Sequence, residues 1–218
     1  MMPLMATSAR WRAVWVGGAL VLAVAAVALP HWPLFGSEVV GTAVEEVLEV
    51  DPAQRAALLE AADRFLETDP DRNGRDLLRT ERPELGPRTF CREEFVEVRR
   101  KDPHLLLGIV ASCMELARSG DTLVAGSGFG GPLLLTVERA GGRYAVREVR
   151  EPLDGDRNLP SIREMFSPEG APRAVVAQSD GGELHEAVVE EARRVFGLPA
   201  GTELTYLSMS AYFGLSRT

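Results

Sequence analysis

The chain has 218 residues, 45% of them hydrophobic, enough for one well-buried domain with appendages and too few for two large ones. Lysine plus arginine total 24 against 32 acids, and Arg10 and Arg12 are the only charges before Glu38. The acidic excess therefore falls on the remainder, where it repels phosphate backbones and argues against nucleic acid as a partner.

Residues 13 to 29, AVWVGGALVLAVAAVAL, form an uncharged apolar run preceded by Arg10 and Arg12 and stopped by Pro30. Its length suits a short membrane-spanning helix or the apolar core of a secretory signal. Either reading exports the chain, with the basic flank held inside. Ala26-Val27-Ala28 offers a small-residue cleavage site, whereas Trp32 and Phe35 resemble interfacial aromatics and favour an uncleaved single-pass anchor in the cell membrane. The expected organisation is a tip and transmembrane or signal segment at 1–36, a linker at 37–50 grading into a helical turn, and an extracytoplasmic domain at 51–218.

Asp51-Pro52 is a helix start, a capping aspartate followed by proline in the first helical position. Leu58, Ala61, Ala62, Phe65 and Leu66 then recur along one stripe, which predicts a helix over 52–67. Residues 68–88 are polar and rich in proline and glycine, and read as a long loop. Within it, Asp69, Asp71 and Asn73 resemble the opening of a calcium-binding loop. Position 12 is Thr80 instead of the bidentate acid, so a solvated acidic turn is the stronger reading, with no metal or other cofactor expected.

Four runs of strand chemistry follow, at about 89–100, 104–117, 132–139 and 143–151, with a helix as the rival reading for 105–117. Ala140-Gly141-Gly142 joins the last two as a hairpin. The first two are joined through Lys101-Asp102-Pro103. A hairpin centred on Asp102 places Cys91 opposite Cys113, and an even cysteine count in an exported chain favours a disulfide between them. Beyond the strands, 152–160 reads as a turn-rich loop, 161–166 as a short helix, 183–196 as a helix ended by Gly197 and Pro199, and the alternation from Tyr206 to Phe213 as a last strand.

Gly126-Ser127-Gly128-Phe129-Gly130-Gly131 matches G-x-G-x-x-G, with Glu151 at the distance of a ribose-binding acid. Pro132 and LLLTV follow where a helix should open, so the match is a coincidence of spacing, and the glycines read as a flexible crossing between strands. His104 and His185 read as boundary histidines, and the acids Glu93, Glu94, Glu148 and Glu151, interleaved with Arg92, Arg147 and Arg150, as ion pairs on a solvated face. No nucleophile and base stand at catalytic spacing, and no catalytic residue is assigned.

The stretch Gly126–Pro132, the strand Tyr144–Val149, the turn Glu151-Pro152-Leu153-Asp154-Gly155 and the segment Ile162–Phe166 together resemble a group of exported bacterial proteins and lipoproteins with no assigned activity. The resemblance implies a cystatin-like or NTF2-like α+β domain, a helix packed on a curved antiparallel sheet. On that architecture the expected role is binding of an envelope protein or small ligand without catalysis, through a rim that includes Gly126, Ser127, Gly128, Phe129 and Asp154. The rival expectations are an enzyme with its pocket inside the sheet and a calcium-dependent module.

Overall fold

A computed structural model describes residues 45–68 and 77–207. The apolar segment at 13–29, the calcium-loop candidates Asp69, Asp71 and Asn73, and the tail beyond Leu207 lie outside them. Among the described helices none is long and apolar enough to cross a membrane. The fold is α+β: strands β1 (Arg88–Lys101), β2 (His104–Ser119), β3 (Thr122–Ala140) and β4 (Arg143–Arg150) form an antiparallel meander in that order. A short fifth strand, β5 (Leu204–Tyr206), pairs parallel with the start of β3 and makes the open sheet mixed. The helices are α1 (Pro52–Thr68), α2 (Leu77–Glu81), α3 (Asn158–Met165), α4 (Gly170–Ser179) and α5 (Gly182–Val195).

β2 explains the layering. Leu105, Leu107, Ile109 and Ala111 face one way and pack with Leu58, Ala61, Ala62 and Leu66 of α1. Leu106 and Val110 face the other way, against Ile162 and Met165 of α3, Phe166 just beyond it, and Ala171 and Ala174 of α4, while Met114 and Leu116 meet Val188, Val189 and Ala192 of α5. A strand apolar on both faces belongs between two helical layers, and this double burial defeats the helix reading of 105–117. The 183–196 helix therefore closes a second core, behind the sheet, instead of completing the first.

α1 starts where its sequence says, with Asp51 Oδ1 accepting the Gln54 amide at 2.8 Å. The β3–β4 turn is Gly141-Gly142 with both residues at positive φ, 60° and 81°, a two-residue hairpin turn that glycine fills without strain. Several expectations need correction. The 68–88 loop contains α2 and a 3₁₀ turn at Pro83–Leu85. β3 begins at Thr122, so the glycine-rich stretch lies inside a strand and is not a crossing. The linker does not grade into a helical turn: Val47 bridges to Arg99, the Leu48 amide donates to the Val98 carbonyl at 2.8 Å, and residues 45–48 lie extended along the outer edge of β1.

Helix α4 has no counterpart in the sequence reading, although Ser167-Pro168 is a start signal of the same kind as Asp51-Pro52. Ser167 Oγ accepts the Gly170 amide at 2.9 Å.

Cys91 and Cys113 are joined by a disulfide and sit opposite each other in the ladder. The route to that register is unexpected. The turn contains two residues, Asp102-Pro103, with Lys101 opposite His104, which by itself would offset the cysteines by one position. A bulge at Val96 adds one residue to β1 and restores the match. The bridge links residues 22 apart, so replacing both cysteines with alanine should lower unfolding stability by about 3 kcal/mol, read from denaturant unfolding as a lower midpoint with an m-value equal to or above the parent's, because the freed unfolded chain is less compact.

Candidate functional site

The glycine-rich stretch lies at a gap in the sheet. β5 covers β3 at Leu123–Ala125 and β4 covers it from Leu134 to Ala140. Between these, among the described residues, β3 pairs only with β2. Pro132, opposite Val110, fits there because a proline nitrogen is tolerated where the ladder has no partner on its side. By alternation Gly128 and Gly130 turn their peptide groups toward the same open edge, and both are exposed.

A cleft of about 400 Å³ opens over this window, floored by Ser112 and Met114 of β2 and Gly128 and Gly130 of β3. Its walls are Gln178 at the end of α4 and Leu184 and His185 at the start of α5. The cleft is polar at hydroxyl, amide and imidazole and apolar at Met114, Leu184 and Phe129, the mixture that ligand sites use. A Cβ built on Gly130 meets nothing within 4 Å, so this glycine leaves open space in the cleft and answers no internal packing demand.

The expected rim residues separate into three groups. Gly128 and Phe129 line the cleft. Gly126 and Ser127 sit one bulge away, opposite Glu115 in the ladder, and serve the fold. Glu115 is buried, and its carboxylate accepts the Leu78 and Arg79 amides at 2.7 and 2.6 Å, with Ser127 N–H and O–H at 3.4 Å. A side chain on Gly126 would overlap that carboxylate and press on Leu78. Asp154 is exposed, precedes a 3₁₀ turn, and is not among the residues lining the cleft. Ser112 drew no notice in the sequence, and nothing local joins Gln178 or His185 to β3, because tertiary packing alone brings them there.

A second concentration of titratable groups lies beside the disulfide. Asp63 and Glu67 of α1 approach Glu93 of β1, and Glu191 of α5 reaches the same edge, where it pairs with Arg92. Glu67 Oε1 accepts the Cys91 amide at 3.1 Å. Glu93 is not on the solvated face expected of it. Burial, and then the Asp63 charge, push its pKa up to about 8, and burial also raises Asp63 and Glu67. Asp63 Oδ1 and Glu93 Oε1 are buried without a hydrogen-bond partner. The solvated-face reading holds for Arg147, which pairs with Glu138 across β3 and β4. Among the described residues no group of three or more His, Cys, Asp or Glu side chains is arranged to hold a metal ion.

Comparison of the chain with family models, with curated proteins and with solved structures finds no match in any of the three.

Two outcomes follow from this geometry. Gly126→Ala, by displacing the Glu115 carboxylate from the α2 amides, should cost about 2 kcal/mol in thermal or chemical unfolding. Glu93 binds a proton in the folded state that the unfolded chain has already lost above its ordinary value of 4.5. Stability should therefore fall as pH rises from about 4.5 to about 8 and then level off, with Asp63 and Glu67 steepening the lower part. Glu93→Gln should flatten that profile and raise stability at pH 8 to 9 by about 2 kcal/mol, measured by urea unfolding across the range.

Proposed function

We propose that the chain is a membrane-anchored, extracytoplasmic binding domain without catalytic activity, and that its ligand or protein partner is held at the glycine window of β3. The observation that carries this reading is the combination, at one place, of an open cleft and a strand edge without a pairing strand among the described residues: exposed Gly128 and Gly130, with side chains of two helices, α4 and α5, converging above them. Gly130, a glycine without a packing duty, lets a partner's backbone approach closely, and the hydroxyl, amide and imidazole supply direction. An even cysteine pair closed as a disulfide supports the exported location.

In the cystatin-like or NTF2-like arrangement that we take as the architecture, the α1 face of the sheet is the concave one. That face is filled by Leu58, Leu66, Leu107, Ile109, Leu133 and Leu135, each at most 2% exposed. The filling supports a role at the strand edge over an enzyme pocket inside the sheet. The acidic balance supports a partner that is neither nucleic acid nor anionic lipid surface.

The test is Gly130→Val in the full chain. The added side chain enters open space and suits a strand, so the melting temperature should stay within about 2 °C of the parent. Capture from the native envelope should return a partner with the parent chain and lose it with Gly130→Val and with Gln178→Ala. A partner retained equally by both variants sinks the reading.

A further inference from the structure

A second concavity, on the other side of the molecule's chemistry, gathers arginines in a chain whose net charge is −8. It lies between the first half of α1 and the β3–β4 hairpin, has a volume of about 560 Å³, and is lined by Asp51, Gln54 and Glu60, and by Arg64, Arg139 and Arg143. An adjoining hollow of about 270 Å³ shares Gln54, Arg139 and Tyr144 with it and continues over Pro103, Leu105 and Val137. The polar chamber thus adjoins one with an apolar side at Pro103, Leu105 and Val137.

The hydrogen-bonding arithmetic of Tyr144 points into this space. Its ring is buried and packs in the α1 core, while its hydroxyl oxygen accepts Gln54 Nε2 at 3.1 Å and Arg139 Nη2 at 3.3 Å. A phenol accepts at most two bonds and donates one, so both acceptor positions are filled and the O–H remains to donate; among the described residues it meets no acceptor. Arg64 is paired with Glu60, whereas neither Arg139 nor Arg143 makes an ion pair among the described residues. Three guanidiniums against two carboxylates leave one net positive charge. That balance suits a monoanion, because a dianionic phosphate would face Asp51 and Glu60 with a surplus of negative charge.

We propose that this cleft is a binding site for a small organic carboxylate with an apolar body, the carboxylate taken by the Tyr144 hydroxyl and the Arg139 and Arg143 guanidiniums and the body lying over Pro103, Leu105 and Val137. Planar guanidinium groups match the geometry of a carboxylate, and a phenolic O–H to an anionic oxygen is among the stronger neutral-donor bonds. The site is independent of the glycine window, since the two share no lining residue.

The experiment uses the full chain in lipid nanodiscs, with empty nanodiscs subtracted, and 3-phenylpropionate as probe in titration calorimetry at pH 7. The parent should bind it saturably. Arg139→Gln with Arg143→Gln should weaken binding at least about tenfold, and Tyr144→Phe about three- to tenfold, with melting temperatures retained. The neutral isostere 3-phenylpropanol should not bind, and Gly130→Val should leave the affinity unchanged. Absence of saturable binding to the parent, equal affinity in the double arginine variant, or displacement of the probe by an equal concentration of inorganic phosphate would each overturn the proposal. The arginine pair is exposed, so its arm of the test stands even where Tyr144→Phe disturbs the core.

Discussion

Two buried carboxylates fix how the helices meet the sheet. Glu97 and Glu115 are 3% and 1% exposed, and each spends its oxygens on backbone or hydroxyl donors of a helix start. Glu97 accepts the Ser167 amide at 2.9 Å and the Ser167 hydroxyl at 2.5 Å, just before α4. Glu115 does the same for the first turn of α2. A carboxylate taken from water costs several kcal/mol, and only well-placed donors offset it. The consequence is directional: a helix that drifts from its place takes these donors away from a buried carboxylate. Arg99 completes the Glu97 site from the same strand, its Nε 3.1 Å from Glu97 Oε1 without hydrogen-bond alignment, its other nitrogens on Glu45 and on the Met165 carbonyl.

Both carboxylates stand at breaks in strand register. The bulge at Val96 sets Val96 and Glu97 toward the α3 and α4 side, and the irregularity near Glu115 places two residues, Gly126 and Ser127, opposite one. Bulges re-aim side chains: the one in β1 turns Glu97 toward the start of α4, and the one in β3 sets Gly126 and Ser127 against Glu115. Three glycines follow from that arrangement. A Cβ on Gly108 would lie 2.7 Å from Phe166, and one on Gly126 or Gly170 would overlap Glu115 or Glu97. These glycines are absences required by a neighbour, whereas Gly130 answers no neighbour at all.

The sequence conveyed local chemistry well and long-range consequences poorly. Asp51-Pro52, Gly141-Gly142 and the stripe of α1 act within a few residues, and each appears where its pattern places it. The opposition of Cys91 and Cys113 also emerged, although a one-residue longer turn span and a one-residue bulge offset each other, and neither is legible in the strand composition. The glycine-rich stretch misled because glycine clusters ordinarily mark loops. Here, burial of β2 on both faces makes β3 run straight through them, since a strand already paired along one edge continues as long as its partner does. Glu93 misled for a related reason: alternation assigns it a face but cannot tell that α1 covers that face with two more acids. Of the candidate site, the glycines and Phe129 were visible and the helix residues above them were not.

The treatment of strand edges is the structural argument behind the binding role proposed for this fold. Unpaired edges invite association, and proteins cover them where association is unwanted. On β1 the segment at 45–48 hydrogen-bonds along Val98 to Arg100, with Arg99 and Arg100 ion-paired to Glu45 and Glu46, and further along the Glu67 side chain takes the Cys91 amide. On β3, β4 and β5 divide the edge between them and stop short of one another. The covering of β1 recruits a charged side chain and the segment at 45–48. The window combines the smallest side chains in the strand with a cleft walled by two helices, and a partner that supplied its own backbone there would complete the ladder between β5 and β4. The covering of one edge, beside a stretch of the other that pairs only with β2 among the described residues, is the physical reason the proposed site is placed at Gly128 and Gly130.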